Sequence, residues 1–167
     1  TLSSLNYNYD TLRSKYGITT VFGEVVAIDP VGVKVTLANG TVLTADRIVM
    51  APGISFDAVP GLGTSDKMPH AWQAGPQTTL LKNQLANMPS RGTFVMTIPK
   101  APYRCPPGPY ERASVIAGYF KAFKPRSKVL ILDANPEIQS KKALFERAYA
   151  QHYKGIVEYR ANAELKE

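Results

Sequence analysis

Ile98-Pro99-Lys100-Ala101-Pro102-Tyr103-Arg104-Cys105-Pro106-Pro107-Gly108-Pro109-Tyr110-Glu111-Arg112 joins two segments of different period. Before it, Thr93-Phe94-Val95-Met96-Thr97-Ile98 is a short, β-branched apolar run of the kind that forms a buried strand. After it, Tyr110 to Phe123 carries apolar residues at 110, 113, 116, 117, 120 and 123, one face of a helix. The joining segment is therefore a stiff loop between the C-terminal end of a strand and a helix N-terminus. In open α/β sheets that crevice is where ligands bind.

The loop holds the chain's one cysteine. Pro109 suits the first turn of the helix, where its missing N–H is no loss. Amide donors and the positive end of the helix dipole are then expected to point towards Cys105. Arg104 adjoins it, and Arg112 lies one turn into the helix. Each influence favours thiolate, the reactive form. Glu111, early in the helix, can reach the same crevice as a proton acceptor or donor. The alternative on these residues alone is a small buried core cysteine and a helix-capping glutamate. The loop is a poor nicotinamide dinucleotide site: bulky Pro, Tyr and Arg stand where G-x-G-x-x-G would let the backbone approach a pyrophosphate.

Beyond the helix, Lys128-Val129-Leu130-Ile131-Leu132-Asp133 reads as a second strand ending in an acid. In a dinucleotide fold that acid would hold a ribose hydroxyl; without the glycine cradle, a structural role for Asp133 is favoured. Ser140 to Tyr153 predicts a helix with Leu144, Phe145, Ala148 and Tyr149 on one face, and Gly155 to Arg160 a third strand. Strand–helix–strand–helix–strand with short connections implies a right-handed parallel sheet. On the other side, Trp72 to Met88 predicts a helix with Leu80, Leu81, Leu85 and Met88 facing a core. His70 and Trp72 precede it; Trp72 is expected to pack, with a face towards a flavin as the alternative.

The first third of the chain has period two. After a polar start from Leu2, with a short helix expected around Tyr9 to Tyr16, Thr20 to Asp29, Val33 to Leu37 and Thr41 to Leu43 read as antiparallel strands. They are joined by Asp29-Pro30-Val31-Gly32 and by Ala38-Asn39-Gly40. Arg47 to Ala51 is expected as a further buried strand ending at Pro52-Gly53, and Ser55 to Lys67 as the loop at a domain boundary.

The 167 residues are 44% apolar and contain no run long enough to span a membrane, which bounds the chain to one or two soluble globular domains. A single cysteine excludes an internal disulfide, and with only His70 and His152 beside it a metal site is not expected. The net charge of +7 is spread along the chain without a basic block, so no nucleic-acid partner is expected.

Ala101 to Arg112, with its Cys-Pro-Pro-Gly-Pro run, and Lys128-Val129-Leu130-Ile131-Leu132-Asp133-Ala134-Asn135-Pro136 closely resemble the flavoprotein subunit of flavocytochrome c sulfide dehydrogenase. That family is related to the sulfide:quinone oxidoreductases and the pyridine nucleotide-disulfide oxidoreductases. Lys67 to Gly75 and Ala51-Pro52-Gly53 are similar to its segments as well. The resemblance implies an α/β fold: an antiparallel β-meander from an FAD domain (1–58), followed by a partial Rossmann-like domain with a parallel sheet (59–167). It implies FAD as cofactor in the full-length protein and no NAD, with Ala51, Pro52, Gly53, Trp72 and Pro106 on the cofactor's side.

By the same resemblance, Cys105 matches one of a redox-active cysteine pair and Glu111 an acidic residue near it. Sulfide is then the substrate, a haem-bearing cytochrome c subunit the electron acceptor, and the periplasm the compartment. The partner cysteine and the FAD fingerprint do not occur in this sequence. The chain is accordingly expected to be an internal fragment, inactive alone and holding FAD weakly or not at all. A sulfide:quinone oxidoreductase and a non-catalytic α/β interaction module are the alternatives.

Overall fold

The computed structural model describes residues 4, 7–59 and 67–165. The chain divides into two compact units, Thr1–Phe56 and Asp57–Glu167.

In the first unit, α1 (Asp10–Tyr16) ends at Gly17 in the left-handed conformation, and a three-stranded antiparallel meander follows. Its strands are β1 (Val25–Asp29), β2 (Lys34–Leu37) and β3 (Val42–Thr44). Asp29 accepts the N–H groups of Val31 (3.0 Å) and Gly32 (2.9 Å), so its own carboxylate closes the first turn. The second turn closes on Asn39, which accepts the Thr41 N–H, with Gly40 at φ 84°. Leu37 is the buried hydrophobic residue of this unit among those described. The strand expected over Arg47 to Ala51 does not form: no described strand pairs with it, and Val49 is 90% exposed. A β-branched run has strand character only where a ladder and a packed face receive it. Of the loop expected over Ser55 to Lys67, residues 60–66 lie outside the described residues, as does Leu2.

The second unit is built as its periodicity predicts. β4 (Thr93–Ile98), α3 (Gly108–Phe123), β5 (Lys128–Asp133), α4 (Lys142–Gln151) and β6 (Val157–Arg160) follow α2 (Pro76–Asn87). The strands form one parallel sheet in the order β4-β5-β6, with Ile98 level with Asp133 and Leu132 with Arg160. This is the expected α/β architecture.

The core joins Ile98, Val129 and Ile131 of the sheet to Tyr110, Ala113, Ile116, Ala117 and Phe120 of α3, and to Phe145 and Tyr149 of α4. Leu80, Leu81, Ala148, Phe123 and Leu144, all on faces expected to be apolar and inward, lie outside it. Phe123 is 72% exposed and packs on Tyr119 (ring centroids 5.2 Å), and Leu144 is exposed while its neighbour Phe145 turns inward. α2 starts at Pro76 rather than Trp72, because Gly75 takes φ 132° and Pro76 favours a first helical turn. Its Leu85 and Met88 pack against the core from the side, half-buried.

Candidate functional site

The loop between β4 and α3 leaves the C-terminal edge of the sheet and is tied to it from below. Asp133, at the end of β5, is fully buried. One carboxylate oxygen accepts the Tyr110 hydroxyl (2.6 Å) and the Tyr159 hydroxyl (3.0 Å). The other accepts the backbone N–H (2.9 Å) and Nδ2 (2.7 Å) of Asn135. Four donors saturate this carboxylate, which removes it from any ribose role and makes it the structural acid favoured above. The Tyr110 hydroxyl also accepts the Gln139 N–H (3.1 Å) and lies 3.4 Å from the Tyr103 hydroxyl. Burial first, and then the hydrogen bond to Asp133, push the Tyr110 and Tyr159 phenols well above their usual range, so both stay protonated donors. Tyr103 is raised too, chiefly by burial.

Cys105 is exposed, at φ 58°, which rules out the sealed core cysteine weighed from the sequence. With Pro102, Tyr103, Arg104 and Pro106 it lines an open groove of about 450 Å³. A left-handed conformation at a non-glycine residue stores roughly 1–3 kcal/mol and persists only where its surroundings enforce it. The amides of the following turn are not all aimed at the sulfur: the Gly108 N–H donates to the Cys105 carbonyl (2.9 Å), and Pro109 has none. Glu111 lies exposed in the first turn of α3 and is not among the residues lining the groove.

Arg112 does not serve the sulfur in the way its spacing suggested. Its guanidinium donates to the carbonyls of Ala71 (2.6 Å) and His70, and lies 4.2 Å from the centre of the Trp72 ring. Trp72 reaches the same turn from the other side. A Cβ placed on Gly108 would stand 2.6 Å from the edge of the indole and 3.2 Å from Cys105 Sγ. Gly108 is thus needed for close approach, and the indole and the sulfur flank it. Trp72 lies against Gly108 and Arg112 and is 41% exposed. Ala51, Pro52 and Gly53 belong to the first unit, all exposed, with Gly53 at φ 83° and open space around it.

The sequence reading missed Asn135, the hydroxyl of Tyr110 and the long-range partners of Arg112. A signal existed for Tyr110: a phenol on the inner face of a helix must find an acceptor, and the acid ending the next strand was the nearest candidate.

A family model described as the sulfide dehydrogenase (flavocytochrome c) flavoprotein chain, central, matches residues 78–167, the span that contains β4, the cysteine loop and the whole parallel sheet. The chain belongs to this family. Its fold is similar to that of the sulfide:quinone oxidoreductase from the hyperthermophilic bacterium Aquifex aeolicus, at TM-score 0.61 and 21% identity over 91% of the chain. It is also similar to the covalent putidaredoxin reductase–putidaredoxin complex, at TM-score 0.63 and 18% identity over 97%. The chain spans 37% of the length of each of these structures. At such identities the likeness concerns the fold. The sulfide dehydrogenase flavoprotein family is one of flavin-dependent oxidoreductases, and the chain is an α/β member of it. Among the described residues, no helix is long and apolar enough to cross a membrane.

Proposed function

We propose that this chain supplies the redox-cysteine face of an FAD-dependent sulfide dehydrogenase, acting in the periplasm and delivering electrons to a cytochrome c subunit. The observation that carries the reading is the exposed sulfur of Cys105, held in a proline-walled groove at the end of β4 and inside the family-matched span. A core cysteine would be buried, and a cysteine at a sheet's ligand edge is placed to react.

In this reading Cys105 is half of a disulfide whose other half is a cysteine outside this sequence. Hydrosulfide attacks the disulfide, forms one new S–S bond as a persulfide, and releases the second sulfur as a thiolate. Bound FAD would supply a two-electron acceptor. The residues of this chain would do the rest. Pro102 and Pro106 wall the groove with apolar surface, against which the edge of a flat ring is proposed to lie. Trp72, Ala51, Pro52 and Gly53 are proposed to line the cofactor's side. No G-x-G-x-x-G cradle occurs in the sequence, so the grip on the dinucleotide end would not come from these residues, and NAD is not proposed. Glu111, exposed in the first turn of α3, is proposed to carry the proton that hydrosulfide and thiol exchange.

The test is Cys105→Ser in the flavin-loaded full-length protein, followed by stopped-flow bleaching of the flavin. The sulfide-driven rate should fall by roughly a thousandfold or more, as expected for loss of a nucleophile, while chemical reduction by dithionite is unchanged. Retention of the sulfide rate would sink the reading. Glu111→Gln should lower that rate roughly a hundredfold and flatten its pH profile.

A further inference from the structure

The groove residues stand on a loop with no regular ladder of its own, yet its entrance is fixed by one buried side chain. Asn135 is 2% exposed and uses its whole carboxamide. Its Oδ1 accepts the Ala101 N–H (2.8 Å), and its Nδ2 donates to the Pro99 carbonyl (2.9 Å) and to Asp133 (2.7 Å). The two contacts, at Ala101 and Pro99, hold the backbone where it enters the segment that runs into Cys105, from 34 and 36 residues away in sequence. Asn135 is itself held, by Asp133 on one side and by the Asn162 N–H on its carbonyl (2.9 Å) on the other. A second tether reaches the groove from the same carboxylate, through Tyr110 to the Tyr103 hydroxyl. No buried side-chain polar atom in this cluster lacks a partner.

We infer that Asn135 is the positioning residue of Cys105. Anchored on Asp133, it fixes the backbone at Pro99 and Ala101, and the Tyr110–Tyr103 hydroxyl pair fixes the groove wall, so that the sulfur keeps one direction. The inference rests on the proposed redox role of Cys105 for its functional meaning, and on the geometry alone for the positioning itself. Carboxamide is the group this place requires. An aspartate could accept from Ala101 but, once ionised, could not donate to Pro99 and would face Asp133 as a like charge. An alanine would leave the Ala101 N–H and the Pro99 carbonyl without their partner.

The single cysteine makes a direct test possible, because a nitroxide attached through its sulfur reports this loop and nothing else. The spectrum of the labelled chain should be that of an immobilised label. Asn135→Ala should convert it to a mobile one while the far-ultraviolet circular dichroism stays that of the folded chain. In the same pair, alkylation of unlabelled Cys105 by iodoacetamide should slow roughly fivefold, the scale of one net hydrogen bond lost from the positioned state. Should Asn135→Ala fail to fold, Tyr103→Phe removes only the groove-side hydroxyl and should move both readouts the same way by a smaller factor. An unchanged nitroxide spectrum in the folded variants overturns the inference. A loosened spectrum, with wild-type alkylation no faster than that of glutathione, upholds the positioning and sinks the redox role of the cysteine instead.

Discussion

Gly108 begins a helix, where alanine is ordinarily the better residue by about 1 kcal/mol. Here the helix start is also where Trp72 lands, and a methyl group would meet its ring edge at 2.6 Å. Gly108→Ala should therefore destabilise the second unit by about 1–3 kcal/mol, against its propensity, and shift the emission of Trp72 towards that of exposed indole. A stabilised variant with unchanged emission would refute this packing. His70 makes a second residue-scale prediction. Its Nδ1 accepts the backbone N–H of Trp72 (3.1 Å), which requires the neutral ring, and burial followed by the nearby positive Arg112 holds its pKa below the usual 6.5. In the unfolded chain the ring takes up a proton near pH 6.5, and in the folded chain only at lower pH. Just below pH 6.5 the unfolded state binds more protons, so the stabilisation present above 6.5 is lost as pH falls through that window. The urea midpoint should decline there in the native chain and stay level in His70→Gln. Little of this was legible in advance. The crowding of Pro, Gly and Cys into one turn is a local signal, whereas Arg112 meets His70 and Ala71 from about forty positions away, where spacing carries no information.

Elements of the second unit were readable because each carries its period in its own residues. β4 occupies the expected residues, and the α3 face at 110, 113, 116, 117 and 120 is buried as its spacing requires. Arg47 to Ala51 has equally apolar composition and no ladder, since pairing is decided by a partner strand and not by the run itself. Element ends depend on contacts of the same long-range kind. α2 closes on Lys124, whose ammonium donates to the carbonyls of Leu85 (2.8 Å), Ala86 (2.6 Å) and Met88. These are last-turn acceptors with no helical partner, at the negative end of the dipole. Lys124→Met keeps the stem and removes the donors. It should lower stability by about 2 kcal/mol in urea melts and speed amide exchange in the last turn of α2. An effect near zero would mean that water serves those carbonyls as well.

At the scale of the whole chain, the two units differ in what holds them. The second has a continuous core from Ile98 to Tyr149 and a saturated acid beneath its groove, while the first has hairpin turns and Leu37. Opening free energy follows buried apolar contact. Amides of β4, β5 and α3 should thus exchange by global unfolding, and those of β1 to β3 by far cheaper local opening, as hydrogen–deuterium exchange with mass spectrometry can resolve. Equal protection in the two units would contradict this ordering. The chain's one indole sits in the unit Asp57–Glu167, so light absorbed by it carries news of that unit alone. During heating, ellipticity that declines while indole brightness holds steady would mark the meander melting by itself, and the interval between the two signals would time one unit's departure against the other's without any added probe.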